Sequence, residues 1–317
     1  MAEPAAGGAE SWERAVLERL VRSVLDEQRR ARRWGILFKS LGFVYLFIVL
    51  FLALGWLGGK DRGLPGKHTA LVEITGVIAP DSQASAERVN AGLQDAFKDT
   101  KTMGVILRVN SPGGSPVQAA QINGEMRRLR ALYPKIPLYV VVEDICASGG
   151  YYVAVAADRI YVDQASLVGS IGVLMDGFGF TGTMQKLGVE RRLLTAGENK
   201  GFLDPFSPLN PKQKEYAEKL LAEVHRQFID VVKQGRGKRL KETPELFSGL
   251  IWTGQQSIEL GLADALGSVD YVAREVIKAE DIVDFTPHEN LIERFSRRFG
   301  AATAEALVRL GASPQLR

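Results

Sequence analysis

Between residues 70 and 200 the hydrophobic positions follow two alternating rhythms. Leu71 to Ile78, Met103 to Val109 and Ile136 to Glu143 are short apolar runs rich in β-branched residues, the pattern of buried strands. Ser85 to Lys98 and Val117 to Tyr133 instead repeat their apolar side chains at helical spacing. Arg159 to Val162 predicts another strand, Met184 to Leu187 lies in a helical stretch, and Val189 to Leu194 predicts a further strand. Strand and helix in alternation predict an α/β fold, with a mostly parallel sheet, helices on both faces and right-handed crossovers. Ligands of such sheets gather beyond the carboxyl ends of the strands. Further on, Pro211 to Lys233 predicts a long amphipathic helix striped by Tyr216, Leu220, Leu221, Val224, Phe228, Val231 and Val232, with Pro211 in its first turn and Gly235 and Gly237 closing it. Phe247 to Gly267 reads as a glycine-bounded turn, a short helix and a closing strand.

The N-terminal region has a different pattern. Leu17, Leu20, Val21, Val24 and Leu25 predict a helix from Ser11 to Arg33, and the twenty positions between Lys39 and Lys60 carry no charge. Twenty apolar residues suffice to cross a hydrocarbon layer of roughly 30 Å as a helix. Trp34 and Trp56 bracket the stretch like interfacial anchors. A cleaved signal peptide would have a shorter apolar core nearer the N-terminus and a small-residue cleavage site, so a retained transmembrane helix is the expectation. Arg29, Arg30, Arg32, Arg33 and Lys39 outnumber Lys60, Arg62 and Lys67, which keeps the N-terminus in the cytoplasm and everything after the span outside it. The expected organisation is a cytoplasmic segment over 1–38, the membrane helix over 39–60, a linker over 61–69, a globular domain over 70–280 and a helical tail over 281–317. Asn290 to Phe299 and Ala302 to Leu310 give that tail two short basic amphipathic patterns.

Composition narrows the functional classes. A chain of 317 residues, 46% hydrophobic, buries a sizeable core, and a net charge of +3 without aromatics interleaved among the basic residues makes nucleic acid a poor partner. One cysteine, Cys146, excludes an intrachain disulfide and a cysteine-built zinc site. Beside a candidate nucleophile it reads as a small packing residue.

Asp144-Ile145-Cys146-Ala147-Ser148-Gly149-Gly150-Tyr151-Tyr152 sits where a predicted strand turns into a helix. Such a corner lifts a side chain out of the sheet, its glycines admit a substrate backbone, and helix-terminal N–H groups face developing negative charge. Ser148 is therefore the candidate nucleophile, although an N-cap serine followed by packing glycines has the same local pattern. Asn110-Ser111-Pro112-Gly113-Gly114-Ser115 ends another strand, and adjacent glycines before a helix can aim backbone N–H groups at an oxyanion; an ordinary turn uses the same residues. Gly169-Ser170-Ile171-Gly172 spaces two glycines for a close backbone crossing. A hydroxyl nucleophile needs a base, yet His68 falls in the linker, His225 in the long helix and His288 near the tail. An amine does the same work where apolar surroundings strip its proton, and Lys200, beside Phe202, Leu203 and Phe206, is the best placed.

N-S-P-G-G-S, A-S-G-G-Y-Y, G-S-I-G-V and N-K-G-F-L-D-P-F, in this order behind one membrane helix, resemble the signal peptide peptidase A family, membrane-anchored serine peptidases of Clp-protease/crotonase-like fold. The likeness covers roughly residues 70–275. It implies a Ser-Lys dyad with Ser148 as nucleophile, Lys200 as general base and Ser170 as a hydroxyl holding Lys200, with Gly113 and Gly114 lining the oxyanion hole. The family commonly has serine where Gly201 follows the lysine here. The resemblance further implies no metal or organic cofactor, peptide substrates bound in extended form, a homo-oligomer with sites near subunit interfaces, and a single-pass place in a bacterial inner membrane with the catalytic domain outside the cytoplasm. Two other classes stay open at this stage: a crotonase-like acyl-CoA enzyme and a non-catalytic membrane scaffold on the same body.

Overall fold

The structure, a computed structural model, describes residues 7–53 and 66–288. Its first element, α1 (Gly7–Ala53), is one unbroken helix where the sequence suggested a helix followed by a separate span. Nothing in the composition between Arg33 and Ser40 breaks it: there is no proline, and Gly35 alone costs a helix only about 1 kcal/mol. Within it Glu27–Phe51, 25 residues, is long and apolar enough to cross a membrane, and Phe43, Tyr45 and Phe47 stand uncovered. Trp56, most of the linker and both tail patterns lie outside the described residues.

The globular body carries the alternation. Its order is β1 (His68–Thr75), α2 (Ala86–Lys98), β2 (Thr102–Ser111), α3 (Pro116–Leu132), β3 (Leu138–Ala147), α4 (Gly149–Ala154), β4 (Arg159–Val162), β5 (Leu167–Gly169), α5 (Thr181–Lys186), α6 (Pro211–Arg236), β6 (Ile251–Thr253), α7 (Gly254–Glu259), β7 (Ala265–Leu266), α8 (Val269–Tyr271) and β8 (Ile282–Asp284). The strands form one sheet in the order β6-β5-β3-β2-β1-β8, with β4 beside β3 and β7 beside β4. Every pairing is parallel except β5 with β6.

Alternation along the central strands explains the layers. Val105, Leu107 and Val109 face Leu93 and Phe97 of α2 and Met126 and Leu129 of α3, all buried, in the larger core. Ile106 and Val141 face the other way, onto Val272, Ala273 and Ile277 in the turns after α8. The sequence foresaw most of these elements within a few residues. Two readings change. His68 is no linker residue: it opens β1, is fully buried and stacks on Phe285. Val189–Leu194 is irregular and exposed where a strand was expected, since among the described residues no strand pairs with it to satisfy its backbone.

β3 positions the site by being long. Its first half pairs with β4 and its last residues with β5, in the register Cys146↔Val168 and Ala147↔Gly169. On its other side, β2 advances from Val109 to Ser111 while β3 advances from Val142 to Cys146, a bulge over Glu143–Ile145. Ser148, Ser170 and the turn after Ser111 thus arrive together at the carboxyl ends of three neighbouring strands.

Candidate active site

Ser148 is the residue between β3 and α4. Its φ of 51° is unusual for a residue with a Cβ, and it is the N-cap of α4 without a side-chain cap hydrogen bond, so its hydroxyl is not spent on the helix. Its N–H donates to the Gly169 carbonyl at 2.8 Å, which ties the corner to β5. A strained, half-buried serine at the strand-helix corner is how a fold presents a nucleophile.

The Gly113-Gly114 turn touches this corner. A Cβ on Gly113 would fall 2.6 Å from the Gly149 nitrogen and 2.7 Å from the Ser148 Cβ, and Gly113 adopts φ 101°, so both space and conformation require glycine. Only one of the two expected N–H groups is free. Gly113 donates to Ser111 Oγ at 3.1 Å, whereas among the described residues Gly114 N–H has no partner. Ser111, fully buried, in turn donates to the Gly76 carbonyl at 2.6 Å and so pins the turn from below. Facing Gly114 is a donor the sequence reading overlooked: Gly149 N–H, in the first turn of α4, has no intrahelical acceptor, and a Cβ on Gly149 would lie 3.2 Å from the Gly114 nitrogen. The rule that a nucleophile's following N–H completes the oxyanion hole could have singled it out.

Ser170 lies beside Ser148 across the β3–β5 register, half-buried and with φ 50°. The glycines around it make the close approaches that their spacing suggested. A Cβ on Gly169 would meet Trp252 at 2.9 Å, and one on Gly172 would meet the Gly249 Cα at 3.1 Å. Cys146 is buried, and burial pushes its thiol well above the ordinary range, as suits packing rather than chemistry.

Among the described residues Lys200 makes no hydrogen bond with this corner. It is exposed, on a turn whose N–H donates to the Gly197 carbonyl at 3.1 Å. The stretch from 174 to 209 that carries it leaves Leu174, Phe178, Leu187 and Leu194 exposed, Leu194 at 96%. Internally this arm is ordered by Phe180 stacked on Phe206 and by Arg191, which pairs with Asp204 at 3.0 Å and caps the Phe206 ring. A cleft of about 970 Å³ runs beneath the arm between Phe178, Leu193, Phe202 and Leu221. It is lined by none of Ser148, Ser170 and Lys200, and its Ser207 hydroxyl is spent on Asp204 at 2.7 Å, so the chemistry is assigned to the corner and not to the cleft. Among the described residues no three His, Cys, Asp or Glu side chains gather as a metal would need.

The sequence matches known proteins along the same stretch. The sequence model of peptidase family S49 matches residues 130–283, which include Ser148, Ser170 and Lys200. A putative signal peptide peptidase SppA of Enterococcus faecium is 30% identical over 234 residues, 71% of this chain and 67% of that protein. A putative protease of Methanocaldococcus jannaschii is 33% identical over 218 residues, 67% of this chain and 69% of that one. A Brucella melitensis protein named Na(+)/H(+) antiporter NhaA is 48% identical over 177 residues, 56% of this chain. The chain spans only 24% of that protein's length, so the antiporter name does not transfer. With two relatives matched over two thirds of their length, the chain belongs to peptidase family S49, the family of signal peptide peptidase A.

Proposed function

We propose that this chain is a membrane-anchored serine endopeptidase that hydrolyses cleaved signal peptides or other membrane-associated peptides with a Ser148-Lys200 dyad. The observation that carries the reading is the strained corner, where a serine hydroxyl free of capping duties stands next to the unpartnered Gly114 N–H. Unprotonated Lys200 takes the Ser148 proton, the oxygen attacks the peptide carbonyl, and the N–H groups of Gly114 and Gly149 hold the resulting oxyanion, one such donor being worth about 3 kcal/mol. As the C–N bond breaks, the lysine ammonium protonates the leaving amine. The lysine then takes a proton from the water that attacks the acyl-serine and returns it to the Ser148 oxygen as the acyl–oxygen bond breaks, so that the acid leaves and both Ser148 and the neutral amine are restored. Ser170 holds the lysine amine in place. No step requires a metal or an organic cofactor.

In this reading the arm over 174–209 packs against a neighbouring copy. That contact covers its apolar side chains, together with Tyr216 and Leu220 on α6, and dries Lys200 at a Ser148 of the assembly. The uncharged stretch of the helix after Lys39 holds the assembly in the membrane, and Arg29, Arg30, Arg32 and Arg33 before it keep the N-terminus cytoplasmic. The division into a cytoplasmic segment, a span, a linker, a peptidase domain and a tail follows from the same reading.

The test uses the full chain in detergent and a synthetic signal peptide carrying a fluorophore and a quencher. Ser148→Ala and Lys200→Ala should each abolish cleavage, and mixing the two inactive chains before assembly should restore part of it, because a site between copies can then draw one intact residue from each. A Lys200→Ala protein that still cleaves refutes the dyad. Mixed chains that stay inactive while co-assembling refute its sharing between copies.

A further inference from the structure

Of the three histidines, His225 is the one that the fold brings to the site. It lies half-buried on α6, 54 positions from the residue it touches, and its Nε2 is 3.0 Å from the carbonyl oxygen of Ile171. A carbonyl oxygen only accepts, so Nε2 carries the proton and donates. Among the described residues the backbone around Ser170 is otherwise held by main-chain bonds alone. Ser148 N–H donates to Gly169, Ser170 N–H to Leu250 and Gly172 N–H to Ser170, at 2.8, 2.8 and 2.9 Å. The Ile171 carbonyl is the one left for a side chain to hold. Ser170 at φ 50° occupies a conformation that persists only where its surroundings over-determine it.

We propose that His225 is a positioning residue for Ser170: by fixing the Ile171 carbonyl it keeps the strained backbone, and with it the Ser170 hydroxyl, in register with Ser148. The inference rests on the role given to Ser170 above. It makes His225 an orienting hydrogen-bond donor and no acid or base, since Nε2–H donates whether Nδ1 is protonated or not. A positioning contact of this kind acts on turnover, because a displacement of about 1 Å in a catalytic group costs on the order of a hundredfold in rate.

The experiment compares His225→Leu, His225→Gln and His225→Asn in the full chain with Ser170→Ala and wild type. Each is followed by cleavage of the quenched signal peptide, by the rate of fluorophosphonate labelling at Ser148, and by thermal unfolding. Glutamine places an amide N–H near the Nε2 position, while asparagine is one methylene too short. His225→Leu and His225→Asn should lower kcat ten- to a hundredfold with KM within twofold, and His225→Gln should recover most of the rate. The Gln and Asn pair decides the matter even if the Leu variant unfolds, since the two amides differ only in reach. Equal losses in Gln and Asn that track a drop in Tm would mean ordinary packing and overturn the proposal. Wild-type turnover in Leu and Asn beside an inactive Ser170→Ala would also overturn it. A fully active Ser170→Ala would instead remove the role of Ser170 on which the proposal stands.

Discussion

Replacing Gly113 by alanine tests whether the oxyanion turn is set by contact with the nucleophile's corner. The added Cβ would lie 2.6 Å from the Gly149 nitrogen, 2.7 Å from the Ser148 Cβ and 2.8 Å from the Ala147 carbonyl oxygen, all atoms of rigid backbone or next to it. Ordinary non-bonded contact needs about 3.5 Å, so turn and corner must part by roughly 0.8 Å. A donor that sat about 2.9 Å from the oxyanion would then stand near 3.7 Å, outside hydrogen-bond range. Losing one such donor costs about 10²–10³ in kcat. The positive φ adds a stability cost of about 1–3 kcal/mol, which lowers Tm without explaining a loss of that size in a folded enzyme. The assays are kcat on the quenched peptide, fluorophosphonate labelling of Ser148, and thermal unfolding. Gly124→Ala is the control: this glycine lies inside α3 with no atom within 4 Å of its would-be Cβ, and alanine there should stabilise the helix by about 0.5–1 kcal/mol and leave activity unchanged. A Gly113→Ala protein that labels and cleaves within twofold of wild type would refute the reasoning.

Two other predictions concern the body behind the corner. Arg236, buried to 2% exposure, forks onto Asp264 at 2.9 and 3.0 Å and donates to the Gly261 carbonyl, while Ile160 N–H also reaches Asp264 at 2.7 Å. Burial alone would raise the Asp264 carboxyl; Arg236, the Ile160 N–H and Arg239 outweigh it and hold it below its usual range. Its stabilising contribution is therefore present above the unfolded value of about 3.9 and is lost as pH falls through the lower folded one. Asp264→Asn strands a buried guanidinium and should cost about 3–5 kcal/mol in urea titrations at pH 7, with the gap to wild type narrowing towards pH 2; a gap that does not change would contradict the assignment. Cys146, shielded on all sides and with its thiol pushed up by burial, should resist iodoacetamide in the folded protein and react only in denaturant. Modification at the native rate of a free thiol would show that the floor of the corner is open.

The hydrophobic rhythm alone determined the α/β class, the parallel sheet and the order of its main elements, because burial on both faces of a central strand and on one face of a covering helix leaves a periodic trace in the chain. It also placed Ser148 at a strand-helix corner and the two glycines at a strand end, since both rest on local geometry. Other features were set by partners distant in sequence. The Val189–Leu194 stretch has strand composition but finds no neighbouring strand among the described residues, and a strand exists only by pairing. His68 is buried because β1, β2 and Phe285 close over it. That Gly113 spends its N–H on Ser111 while Gly114 keeps its own depends on a hydroxyl's direction, and that His225 meets Ile171 depends on how α6 crosses the end of β5. Composition records what each residue prefers to contact; only tertiary packing decides which contact it gets.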